Sequence, residues 1–189
     1  MVTVLMTTEE KVKEIKQSFR LLMDGVASRS MREKGLDYHI NWGVSLPHLR
    51  EMAAGYGHDM HLAIELWKEN IRECKILATM IMPPEEADPQ LLQLWVEQVG
   101  NQEIAEMLAF NLVCHTSDAL VLAKRWIATD EKLSVIVGLN TISRLITMDV
   151  DIGERDLCEI RDQAQAALGD ESLSVRHAAN NLIVRLEEM

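Results

Sequence analysis

Glu103 and Glu106 lie three residues apart, a spacing that sets two carboxylates on one helix face, with Glu97 just before them. Paired carboxylates can stabilise developing positive charge or move a proton; the plainer reading is a solvated helix face. Four tryptophans, Trp42, Trp67, Trp95 and Trp126, offer flat surfaces of the kind on which nucleobases stack. Trp67 and Trp95 fall in apolar stripes and are expected in the core, whereas Trp42, in the turn before Ser45, is the one expected at the surface. Residues 11–34 hold seven Lys or Arg against three acids, which makes either a phosphate-contacting stripe or a solvated face. His58 and His61 have a metal-compatible spacing, yet Asp59 between them reads as a helix cap and no further ligand follows nearby. Cys114 and His115 are neighbours on a helical pattern, so their side chains diverge by about 100 degrees and do not form a nucleophile pair. No phosphate-binding glycine loop, HExxH pattern or nucleophile elbow is present, and no metal or cofactor is expected.

The elements that carry these residues are helices. Thr7 or Thr8 followed by Glu9 and Glu10 predicts a start, with Val12, Ile15, Phe19, Leu22, Met23 and Val26 as one apolar stripe. Ser45, Asp59, Asp88 before Pro89, Asn101, Ser117 or Asp118, and Asp130 mark further starts. Pro83-Pro84 and Gly169-Asp170 mark stops. About ten helices result, joined by short links that make neighbours antiparallel. Helix pairs recurring every few tens of residues predict an all-α, HEAT-like (armadillo-type) helical-repeat solenoid of about five pairs, forming a single domain over residues 1–189. A globular helical bundle is the competing architecture.

A composition 48% hydrophobic but only 4% aromatic, rich in Leu, Ala, Met, Glu and Lys, agrees with helices over strands. No apolar run reaches the roughly 18 residues of a membrane span. The start MVTVLMTTEEK is apolar but lacks a basic segment and a cleavage site, so it does not read as a signal peptide. Cys74, Cys114 and Cys158, odd in number and far apart, are expected as reduced, largely buried thiols of a cytoplasmic protein. The net charge is −11, and the segment from residue 96 onward carries more of it than the first 95 residues. Such a balance opposes non-specific duplex binding unless a local basic stripe supplies the phosphate contacts.

Four segments carry a resemblance. Tyr38 to Arg50 reads YHINWGVSLPHLR; Glu65-Leu66-Trp67 is followed by Ile71-Arg72-Glu73 and Leu77-Ala78; Trp95 to Glu106 reads WVEQVGNQEIAE; and Ser174 to Arg185 reads SVRHAANNLIVR. Their order and spacing, over residues 38–189, resemble the AlkD-type DNA alkylation-repair glycosylases, whose HEAT-like repeats wrap a damaged duplex. The resemblance implies duplex DNA as partner and excision of cationic N-alkylated purines as activity. It implies Glu106 as the catalytic carboxylate and Trp42, Arg50, Gln102 and Arg176 as DNA-binding residues.

The family's active-site motif is Asn-Trp-Asp-x-x-Asp, and this chain has Asn101-Gln102-Glu103-Ile104-Ala105-Glu106. Gln102 thus stands at an aromatic position and Glu106 at the carboxylate position. Asn181 stands where a second aromatic is expected, and Val135 where an arginine is expected. Arg144, nine residues beyond Val135, is expected on roughly the opposite helix face. Two readings follow. One is an alkylation-repair protein that binds alkylated duplex with weak or no glycosylase activity. The alternative is a non-catalytic helical-repeat scaffold for a protein partner. A monomer is expected in either case.

Overall fold

The computed structural model describes residues 6–189 and places eleven α-helices and two short 3₁₀ turns among them. The apolar start in residues 1–5 lies outside the described residues. The helices gather into two compact units, one ending at Glu86 and the other starting at Ala87. Among the described residues no helix is long and apolar enough to cross a membrane.

The first unit holds α1 (Thr8–Leu21), α2 (Gly25–Glu33), α3 (Leu46–Tyr56), α4 (Met60–Lys68) and α5 (Arg72–Ile81). Thr7 caps α1 in a full capping box: its hydroxyl accepts from the Glu10 N–H while the Glu10 carboxylate accepts from the Thr7 N–H. Ile15 and Phe19 then bury one face of that helix. Asp59 and Ser45 cap α4 and α3 as their positions predict. α4 packs on α1 and α5, and α3 on α5.

The single stripe expected from Val12 to Val26 is broken. Asp24 accepts from the Val26 and Ala27 N–H groups, ends the run after Leu22 and starts α2. Met23 and Val26 are exposed as a result. This extra cap is why eleven helices form where ten are predicted.

The second unit holds α6 (Pro89–Glu97), α7 (Gln102–Asn111), α8 (Ala119–Ile127), α9 (Lys132–Thr147), α10 (Glu154–Ala167) and α11 (Leu173–Glu187). Asp88 caps α6 with Pro89 at its first position, and its carboxylate accepts from Leu91 N–H at 2.7 Å. α9 is the central helix, buried from Ser134 through Ile142, and α6, α7, α8 and α11 pack on it. Gly138 permits this: a Cβ there would meet the Ala123 carbonyl and the Ile127 side chain of α8. Trp95 and Trp126 are buried, and the Trp126 indole N–H donates to Gln93 at 2.8 Å.

The cysteines divide. Cys74 and Cys114 are buried, but Cys158 is exposed, contrary to the expectation of three largely buried thiols. α10 buries Ile160 and Ala164, one turn apart, and Cys158 precedes Ile160 by two residues, about 200 degrees around the helix. Burial raises the Cys114 thiol above its ordinary value, opposed by the nearby Arg144 guanidinium.

Candidate nucleic-acid interface

Within the second unit, Asn101 caps α7 by accepting from the Ile104 N–H at 3.1 Å, which fixes where the helix phase begins. Gln102, Glu106 and Phe110 follow at four-residue steps and share one face. The Gln102 amide N–H donates to Glu106 Oε1 at 2.7 Å, while Gln102 Oε1 accepts from the Ser174 hydroxyl of α11 at 2.6 Å. Gln102 therefore ties α7 to α11 and at the same time holds the half-buried Glu106 carboxylate. Among the described residues no Lys or Arg forms an ion pair with Glu106.

Two turns further along both helices a second cluster appears. A cavity of about 430 Å³ is lined by Phe110 of α7, by Asn140, Ser143, Arg144 and Thr147 of α9, and by Asn181, Val184 and Arg185 of α11. The α9 residues fall at i, i+3, i+4 and i+7, a polar stripe on an otherwise apolar helix. Arg144 therefore shares this cavity with Asn181. Val135 faces the core and Arg144 the cavity, so the two lie on different faces of α9, as their nine-residue spacing predicts. Arg185 is paired with Glu188 at 2.8 Å, whereas Arg144 has no carboxylate partner among the described residues. Asn181 is exposed and its amide lies 3.3 Å from His177 Nε2.

Arg176 turns its guanidinium back on its own helix start, donating to the Asp170 and Glu171 carbonyls at 2.7 and 2.9 Å. Both contacts secure the turn before α11.

The remaining candidates lie in the first unit. Arg50 is exposed on α3. Trp42 is half-buried, not freely exposed as its turn position suggests, and the Arg20 guanidinium lies 5.9 Å from its ring centroid. Of the basic residues in 11–34, Lys11 pairs with Asp59 at 2.7 Å and Lys16 with Glu69 at 2.9 Å. Lys13, Arg20, Arg29, Arg32 and Lys34 have no carboxylate partner among the described residues. Asp59 thus serves as helix cap and ion-pair partner.

A model of the DNA alkylation repair enzyme family matches residues 15–186. The chain belongs to that family. A solved structure from a family of proteins related to the HEAT-like repeat DNA glycosylases, with affinity for branched DNA structures, superposes on this member with a TM-score of 0.85 at 16% identity. The match covers 92% of this chain and 74% of the other. At that identity the likeness speaks to fold alone, and the fold is HEAT-like, all-helical and as expected from the helix signals. No protein of curated function matches the chain in sequence. In this alkylation-repair family member, sequence reasoning missed the Gln102–Ser174 link and the polar stripe of α9. The stripe was visible as Asn140, Ser143, Arg144 and Thr147; the link joins residues 72 positions apart and left no local signal.

Proposed function

We propose that this protein binds alkylated duplex DNA and releases base from it weakly or not at all. The observation that carries this reading is the Gln102 bridge. At the position where the resemblance calls for an aromatic, an amide donates to one oxygen of the Glu106 carboxylate and anchors itself to Ser174. A carboxylate that stabilises a departing cationic base must meet positive charge as it develops, in a preorganised setting. Here the nearest partner is a neutral donor on the same helix, and neither Gln102 nor Asn181 offers a π face to cradle a cationic base. Each preorganised contact that is missing costs about a hundred- to a thousandfold in rate. Glu106 remains the residue on which residual excision would depend. Arg144, without a carboxylate partner, and Asn140, Ser143 and Thr147 supply donors suited to phosphate oxygens.

The test pairs two measurements on the full chain. Base release from N-methylpurine-containing duplex is compared for wild type and Glu106→Gln, and duplex affinity is followed against salt. Binding that weakens steeply between about 50 and 200 mM salt, with little base release, is the expected result. Vigorous release abolished in Glu106→Gln would overturn the weak-activity reading. No duplex binding at low salt would leave the protein-scaffold reading in its place.

A further inference from the structure

The turn from Ile40 to Val44 is held with unusual completeness. The Trp42 and Val44 N–H groups both donate to the Glu73 carboxylate at 3.2 Å, and the Arg72 guanidinium donates to the Val44 carbonyl and to Glu73. Arg72 and Glu73 are buried, so this ion pair is a rigid platform under the turn. The Trp42 carbonyl accepts from Asp24 N–H at 2.9 Å, and Gly43 N–H donates to Asn41 Oδ1. Gly43 adopts φ +74, and a Cβ on it would collide with the Asp24 carbonyl. The backbone that carries the indole is therefore fixed.

One polar group in this turn is unmatched. Among the described residues Trp42 Nε1 is buried and has no hydrogen-bond partner. The same side chain lines a cavity of about 280 Å³ together with Lys16, Arg20, His39, Asn70 and Glu69. Lys16 and Glu69 neutralise each other, and Arg20, whose guanidinium lies 5.9 Å from the indole centroid, has no carboxylate partner among the described residues. An aromatic face, an amide and an imidazole beside a guanidinium without a carboxylate partner among the described residues match the parts of a nucleotide. The ring takes a base by stacking, the polar groups take its edge, and Arg20 takes its phosphate.

We infer that this cavity binds one unpaired nucleotide of a single-stranded or branched DNA, its base stacked on Trp42 and its phosphate on Arg20. A base within an intact duplex is not presented to such a pocket, because stacking hides both of its faces. Every residue invoked lies in the first unit, whereas Glu106 lies in the second.

Intrinsic fluorescence reports on it directly, since Trp67, Trp95 and Trp126 are each at most 2% exposed. A short oligothymidylate should quench wild-type fluorescence saturably, and more salt should weaken the effect. Trp42→Ala should reduce affinity for a labelled strand by roughly five- to 150-fold, the equivalent of stacking one base at about 1 to 3 kcal/mol. Trp42→Phe, which keeps the aromatic face and guards against a folding artefact, should retain most of the binding without the quench. A fully paired duplex of the same length should leave the Trp42 fluorescence unquenched, which separates this site from a duplex interface. Absence of quenching, or a Trp42→Ala variant that binds the strand normally, would overturn the assignment. Thymidine monophosphate binding as tightly as the strand would overturn DNA as the ligand.

Discussion

Gln102 and Ser174, 72 positions apart, meet through a 2.6 Å hydrogen bond that joins the first turn of α7 to the first turn of α11. The contact makes the candidate carboxylate site part of the scaffold. The same Gln102 amide holds Glu106 through its N–H and Ser174 through its oxygen, so the carboxylate and the α7–α11 link share one side chain.

That coupling is measurable. Gln102→Ala and Ser174→Ala should each destabilise the fold modestly, and a double-mutant cycle in urea should give an interaction of about 1 kcal/mol. Strict additivity of the two changes would show that the bond contributes nothing.

Trp95 is 2% exposed beside Leu92 and Val96 on α6. Trp95→Ala removes a large side chain from a filled core and should cost about 3 to 5 kcal/mol of unfolding free energy. An unchanged urea midpoint would contradict its burial.

The thiols should separate by reactivity and by pH. Burial, aided by the Glu69 charge, pushes the Cys74 thiol up to about 12, from an ordinary value of 9.0. A folded-state value above the unfolded one means that the native state holds the proton longer. Stability is therefore full below about pH 9 and falls as pH climbs toward 12. Cys74→Ala should flatten that alkaline loss relative to wild type. At neutral pH in native conditions one thiol, Cys158, should react with a disulfide reagent, and Cys74 and Cys114 only after unfolding. Rapid reaction of all three would refute this.

Much of the architecture was legible in the chain because it rests on local chemistry. Thr7, Ser45, Asp59, Asp88 and Asn101 each satisfy N–H groups within three residues of themselves, so their types alone announce helix starts. The stripes through Leu62, Leu66 and Trp67, and through Leu92, Trp95 and Val96, announced their buried faces for the same reason of periodicity. Asp24 shows the limit: it is an equally good cap, but the apolar spacing around it suggested an unbroken helix, and only the folded chain bends there. Gln102 and Glu106 were identifiable by position, since one helix face carries both. What Gln102 does was not, because Ser174 reaches it only after α7 and α11 have packed on α9. The setting of Trp42 was decided in the same way. Glu73, Arg72, Asp24 and Arg20 come from three separate helix ends or turns, and only tertiary packing brings them around one indole ring.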